Sequence, residues 1–176
     1  MPAFHGGAPI PFTPFHFGPG LLVKACIPRS FWFSSFVAAN VLIDVEVLVY
    51  IVRNDPPIHR HLHTYVGGTG IGILAGVLMF ATMKLLRRCR INSDHFASGL
   101  TTTKSVMLGQ SLIAGLVGGV SHILLDSLMH RDMRPWWPLS DENGLAGMVS
   151  VGSLHGGCAL AGLFGLVFLL LLRDSR

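Results

Sequence analysis

The sequence predicts an all-α fold: an integral-membrane helical bundle of four spans, preceded by an N-terminal re-entrant or broken helix. Three observations predict it. Of the 176 residues, 51% are hydrophobic and only 12% are charged, against about 25% charged in soluble domains. The apolar residues fall in blocks close to the roughly 20 needed to cross a bilayer. The basic residues gather at the ends of those blocks. The length suits one domain, taken as 1–176.

The N-terminal stretch, "APIPFTPFHFGPGLLVKACIP", is apolar but rich in proline and glycine. No basic region precedes an apolar core, so it does not read as a cleaved signal peptide. It reads as a fifth, broken span or a re-entrant half-helix, because irregular backbone at membrane depth must be buried in protein or line a cavity. The four spans follow at 31–52, 62–86, 106–128 and 149–172. Gly68, Gly72 and Gly76 in the second, and Gly115 and Gly119 in the third, recur at a spacing that lets helices approach closely. They read as packing surfaces. Trp136 and Trp137 in "RPWWPL" read as an interfacial aromatic belt.

Orientation follows the basic residues. Lys24, Arg29, Lys84, Arg87, Arg88, Arg90, Lys104, Arg173 and Arg176 lie on one side, nine in all, and Arg53, Arg60, Arg131 and Arg134 on the other, four in all. The first set is expected to face the cytoplasm. That places the loops at 53–61 and 129–148 outside and makes a bacterial inner (plasma) membrane the expected location. The formal charge of +4 gives little reason to expect a nucleic-acid partner; the bilayer is the expected one. Cys26, Cys89 and Cys158 are scattered without metal-type spacing and read as free thiols.

The polar residues inside the spans carry the functional signal, since ionisable side chains there are costly. His122 and Asp126 are four apart, hence on one helix face. His59 and His63 repeat that spacing in "IHRHLHTY". Asp44 lies near the outer end of span one, and His155 opens span four on the same side. If the N-terminal segment turns back as a hairpin at "PRS", His16 reaches the same level as Asp44. Imidazole and carboxylate together suit zinc and similar divalent metals. Asp44 and Glu46 are two apart and point to different sides of a regular helix. Asp44, which shares a face with Asn40, is therefore the expected direct ligand. Glu46 is open as a general base, a supporting group or a ligand on a distorted helix. Arg60 reads equally as a phosphate clamp or a flanking anchor. His5, His61, His95 and His130 read as interfacial.

These motifs have a family resemblance. "FHFGPG", "NVLIDVE", "HRHLHT" and "SHILLD" followed by "RPWWPL" resemble, in order, the YdjM family, described as LexA-binding, inner-membrane-associated, metal-dependent hydrolases and grouped with zinc-dependent phospholipases C. The resemblance implies a metal site at His16, Asp44, His59, His63, His122 and Asp126. The chain departs from the family pattern at Glu46 and Val47, where other members carry an aspartate and then a histidine.

The expected function is thus a membrane-bound metal-dependent hydrolase. It would hold one or two divalent ions, zinc first, with Glu46 and Arg60 as candidate catalytic groups and a phosphoester or lipid-linked substrate near the outer interface. The alternative is a metal or proton transporter built on the same buried cluster. That reading wants polar residues through the full depth of the spans, and the cytoplasmic halves are nearly free of them. A bis-histidine haem protein fits less well, because carboxylates share the level of the histidines.

Overall fold

A computed structural model describes residues 14–90 and 104–174. Among these residues the chain is all-helical, with no strand. A 3-10 turn over Pro14–His16 leads into α1 (Phe17–Cys26). Four long helices follow: α2 (Phe33–Arg53), α3 (Tyr65–Arg90), α4 (Lys104–Met129) and α5 (Val151–Asp174). Each of the four is long and apolar enough to cross a membrane, and each begins and ends close to the span read from the sequence. His5, His95 and the Cys89 side chain lie outside the described residues.

At about 1.5 Å per residue, α1 is about 15 Å long, half the depth of a hydrocarbon core. Pro19 does not break it. As the third residue of the helix it lacks an N–H that would have had no intrahelical acceptor. Gly20 lets α1 lie against α2: a Cβ there would stand 2.3 Å from the Phe36 ring. The turn after α1 is held by the Lys24 ammonium, which donates to the carbonyls of Pro28 and, at 2.8 Å, Phe31.

Helices α2, α3 and α4 pack on one another, while α5 packs chiefly along α1. The seam between α3 and α4 is made by the glycines picked out in the sequence. A Cβ on Gly72 would come within 2.6 Å of the Gly115 carbonyl, and one on Gly119 within 2.1 Å of the Gly68 carbonyl. Gly118 seats α4 on α2 in the same way, against the Phe36 carbonyl. In water such small surfaces would bury little. In lipid, where apolar burial no longer separates helix from solvent, close backbone approach is a main source of association. Towards the other end of the bundle, Ser35 bonds Ser111 (2.7 Å), and Ser111 donates to the Gly76 carbonyl (2.7 Å). One hydroxyl pair thus ties three helices.

Two loops close the site end. The first starts where α2 stops at Asn54, in the left-handed conformation (φ 51°, ψ 44°) that terminates helices. It ends at Thr64, whose hydroxyl accepts the Gly67 N–H (2.9 Å) and caps α3. The second loop follows α4. The Asn143 amide donates to the carbonyls of Ser127 and His130 (3.0 and 2.9 Å), and the Gly147 N–H donates to Leu128. The loops are joined where the Tyr65 N–H donates to the Pro135 carbonyl (2.8 Å). Ile43, Ile123 and Met133 form an apolar cluster beside them, with Leu62, Tyr65 and Ile71 packed against it.

Candidate metal centre

The site is built from helix faces. Asn40 and Asp44 are one turn apart on α2, His122 and Asp126 one turn apart on α4, and His63 stands just ahead of α3. His16 ends the 3-10 turn before α1. All six are buried, and His63 and His122 are wholly so.

The distances among them are those of a coordination shell. His122 Nε2 is 3.3 Å from Asp44 Oδ1 and 3.2 Å from Asp126 Oδ2. His63 Nε2 is 3.6 Å from Asp126 Oδ2 and 4.0 Å from Asp44 Oδ1. Four ligands at 2.0–2.1 Å around a tetrahedral zinc ion stand about 3.3 Å from one another. Asp44, His63, His122 and Asp126 therefore already have nearly that spacing, and their ligand atoms all lie within 4.8 Å of one another.

The proton positions agree. Glu46 Oε2 lies 3.0 Å from His63 Nδ1, and a carboxylate only accepts, so His63 carries its proton on Nδ1. Asn40 Oδ1 lies 3.0 Å from His122 Nδ1, and the Asn40 amide nitrogen is used on the Phe36 carbonyl (2.9 Å). The oxygen of that amide therefore faces the imidazole. Both rings turn Nε2 towards the carboxylates. Those two Nε2 atoms, both ring nitrogens of His16 and Asp126 Oδ1 have no hydrogen-bond partner among the described residues. His16 Nε2 is nonetheless only 3.2 Å from Asp126 Oδ1. Close approach without hydrogen-bond geometry is what lone pairs aimed at a shared point produce. Buried polar atoms left without partners in this way are rare and need an explanation. A cation at that point supplies one. Burial also holds the His63 imidazole below its ordinary pKa, although Glu46 and Asp126 pull the other way.

A second group adjoins the first. His59, Asp126 and His130 also offer ligand atoms within 4.8 Å of one another, so Asp126 belongs to both groups. His59 Nδ1 is 2.8 Å from Asp132 Oδ2. Burial would raise the Asp132 carboxyl, but the His59 hydrogen bond and charge carry it below the usual range. His130 is lowered by burial, against the pull of Asp126.

Several expectations change. His130 joins the second group rather than standing apart from the candidate ligands: α4 ends at Met129, so the helical offset that separated it from His122 stops there, and its ring centroid lies 4.4 Å from that of His59. His59 stands in the second group rather than the first. Glu46 does face the centre's edge, but as a holder: it takes His63, the Arg60 N–H (3.2 Å) and the Leu62 N–H (3.0 Å). Oε2 takes all three, while Oε1 receives only a share of the Leu62 N–H (3.1 Å). The Arg60 guanidinium is engaged by the Asp55 carboxylate (2.8 Å), the Asp55 and Pro57 carbonyls and the Tyr50 ring, contacts that suit the flanking anchor of its two readings. His155 joins neither group of candidate ligands. Its helix stands behind α1, and its ring stacks on Phe15 with centroids 4.5 Å apart. The expectation for His61 agrees: it is exposed and meets Trp137. Sequence reading passed over Asp132, because a loop residue has no helical period to place it.

No protein-family model, no curated protein and no solved structure matches this chain.

Proposed function

We propose that this chain is a membrane-embedded metal-dependent hydrolase, with zinc as its metal, acting on a phosphoester or lipid-linked substrate at the outer face of a bacterial inner membrane. The observation that carries this reading is the pair His63 and His122. Each has Nδ1 held by an acceptor and Nε2 set at ligand spacing from Asp44 and Asp126. The motif resemblance to the YdjM hydrolases supports the reaction class, and the nine-to-four basic bias supports the outward side.

In this reading Asp44, His63, His122 and Asp126 hold one ion, and His59 and His130, with Asp126 shared, hold a second beside it. His16 closes the shell above Asp126. A bound zinc ion supplies a water of pKa near 7 and polarises a phosphoryl oxygen. The chain's own residues fix the imidazole tautomers: Glu46 for His63, Asn40 for His122 and Asp132 for His59. Such supporting partners orient a ligand and raise its basicity. The transporter alternative is less well supported, because the buried hydroxyls away from the site, Ser35 and Ser111, are bonded to each other and to Gly76 rather than lining a path.

The test is elemental analysis of the detergent-purified protein, together with hydrolysis assays on water-soluble and lipid phosphoesters. We expect bound zinc and phosphoester turnover, with His122→Ala losing turnover and the ion of the first group. A protein that takes up no divalent ion on reconstitution overturns the proposal.

A further inference from the structure

Beside the candidate metal centre, on the far side of Asp132, lies a pocket of about 480 Å³. Pro57 of the first loop and Arg131, Asp132, Arg134, Asp141 and Asn143 of the second line it. Its two arginines and two aspartates balance, but they are not all paired. Arg134 is paired with Asp141 (3.0 Å), and Asp132 with His59 (2.8 Å). Arg131 has no ion pair or hydrogen bond among the described residues. The lining is left with one uncommitted guanidinium, whose planar donors match a phosphate oxygen pair.

Two further features say what kind of anion fits. Asp132 joins the pocket to His59, whose ring centroid is 4.8 Å from that of His63. A group in the pocket is therefore a short molecule's length from the metal ligands. The same loop also exposes Trp136, Trp137, Leu139 and Met148. A polar hollow with one unpaired guanidinium, carried on a loop that presents bare apolar side chains, suits an amphiphile with an anionic head. The loop is preformed for this, being pinned to the end of α4 by Asn143 and Gly147.

We propose that this pocket is the head-group subsite for a phosphate-bearing amphiphile and that Arg131 is its recognition residue. The proposal rests on the hydrolase reading for its purpose, but its test does not use turnover. Binding of lysophosphatidic acid, monoacylglycerol and inorganic phosphate would be measured on the full-length protein in neutral-lipid nanodiscs, with metal content determined in parallel. Arg131→Ala should weaken lysophosphatidic acid binding on the order of tenfold, the loss expected for one hydrogen-bonded charge. Arg131→Lys should keep part of the affinity, and metal content should be unchanged in both. Monoacylglycerol binding should not respond to either change. Lysophosphatidic acid bound equally by wild type and Arg131→Ala overturns the proposal, while zinc binding and turnover would stand. Inorganic phosphate bound as tightly as lysophosphatidic acid overturns the amphiphile and makes free phosphate the ligand. Absence of hydrolase activity with Arg131-dependent binding intact would sink the reaction and keep the subsite.

Discussion

Glu46 accepts the Nδ1 proton of His63 at 3.0 Å, and the same carboxylate takes the backbone N–H groups of Arg60 and Leu62. One buried acid thus sets the tautomer of a candidate ligand and anchors the loop that delivers it. Glu46→Gln keeps the size but cannot accept with both ends. Metal affinity should fall roughly 10- to 100-fold, as for other partners of ligating histidines. Competition with a chromogenic chelator measures it, and an unchanged affinity would leave Glu46 with only the loop to hold.

His122 and Asp126 should behave as a unit. Each single alanine variant should lose the ion held with Asp44 and His63, Asp126→Ala should also weaken the second, and the double variant should be little worse than Asp126→Ala, because residues with a shared partner are not additive. His130→Ala should differ. It removes a residue of the second group only, so zinc content should drop to the share held by the first. Metal-to-protein ratios decide it: full loss in His130→Ala would mean that the two groups are one site.

Chelation should destabilise the fold. Asp44 and Asp126 lie buried in one layer, and without a cation they must be balanced by protonated imidazoles at the cost of desolvation. A ligand that binds only the folded state at a hundred times its Kd adds about 2.7 kcal/mol. The melting temperature of the purified protein should therefore fall with chelator and recover with zinc. A melting curve indifferent to both would count against the centre.

The side facing outward can be read by labelling. In a background without native cysteines, single cysteines replacing Asp55 and Glu142 should react with an impermeant reagent on intact cells. One replacing Asn92 should not. The reverse pattern would put the substrate on the cytoplasmic side.

Much of this was legible in the sequence for a physical reason. Helical spans in lipid must satisfy their own backbone and be apolar along about 20 residues, so the four long helices announce themselves. His122 with Asp126, and Asn40 with Asp44, were readable because a one-turn spacing fixes a shared face. The glycine rows of α3 and α4 were readable on the same grounds. What sequence reading missed sits where that period ends. His130 and Asp132 follow the last turn of α4, and their placement depends on Asn143 and Gly147 folding back over the helix end. Glu46 was half legible: its helix face told against direct ligation, but the two backbone N–H groups it would collect from the next loop have no sequence signature.

Helix α5 offers no side chain to either group of candidate ligands, yet it packs along α1 without room for so much as a methyl group. A Cβ on Gly18 would stand 1.9 Å from the Cys158 carbonyl, and one on Gly165 2.7 Å from the backbone of Leu21 and Leu22. Helix α1 in turn begins where His16 ends. Gly20 sets the other side of α1 against Phe36 of α2 in the same way, so α1 is clamped between two helices. The level of His16 over Asp126 is therefore set by backbone contacts that reach no other candidate ligand, and a side chain added at Gly18 or Gly165 would displace His16 while leaving Asp44, His63, His122 and Asp126 in place.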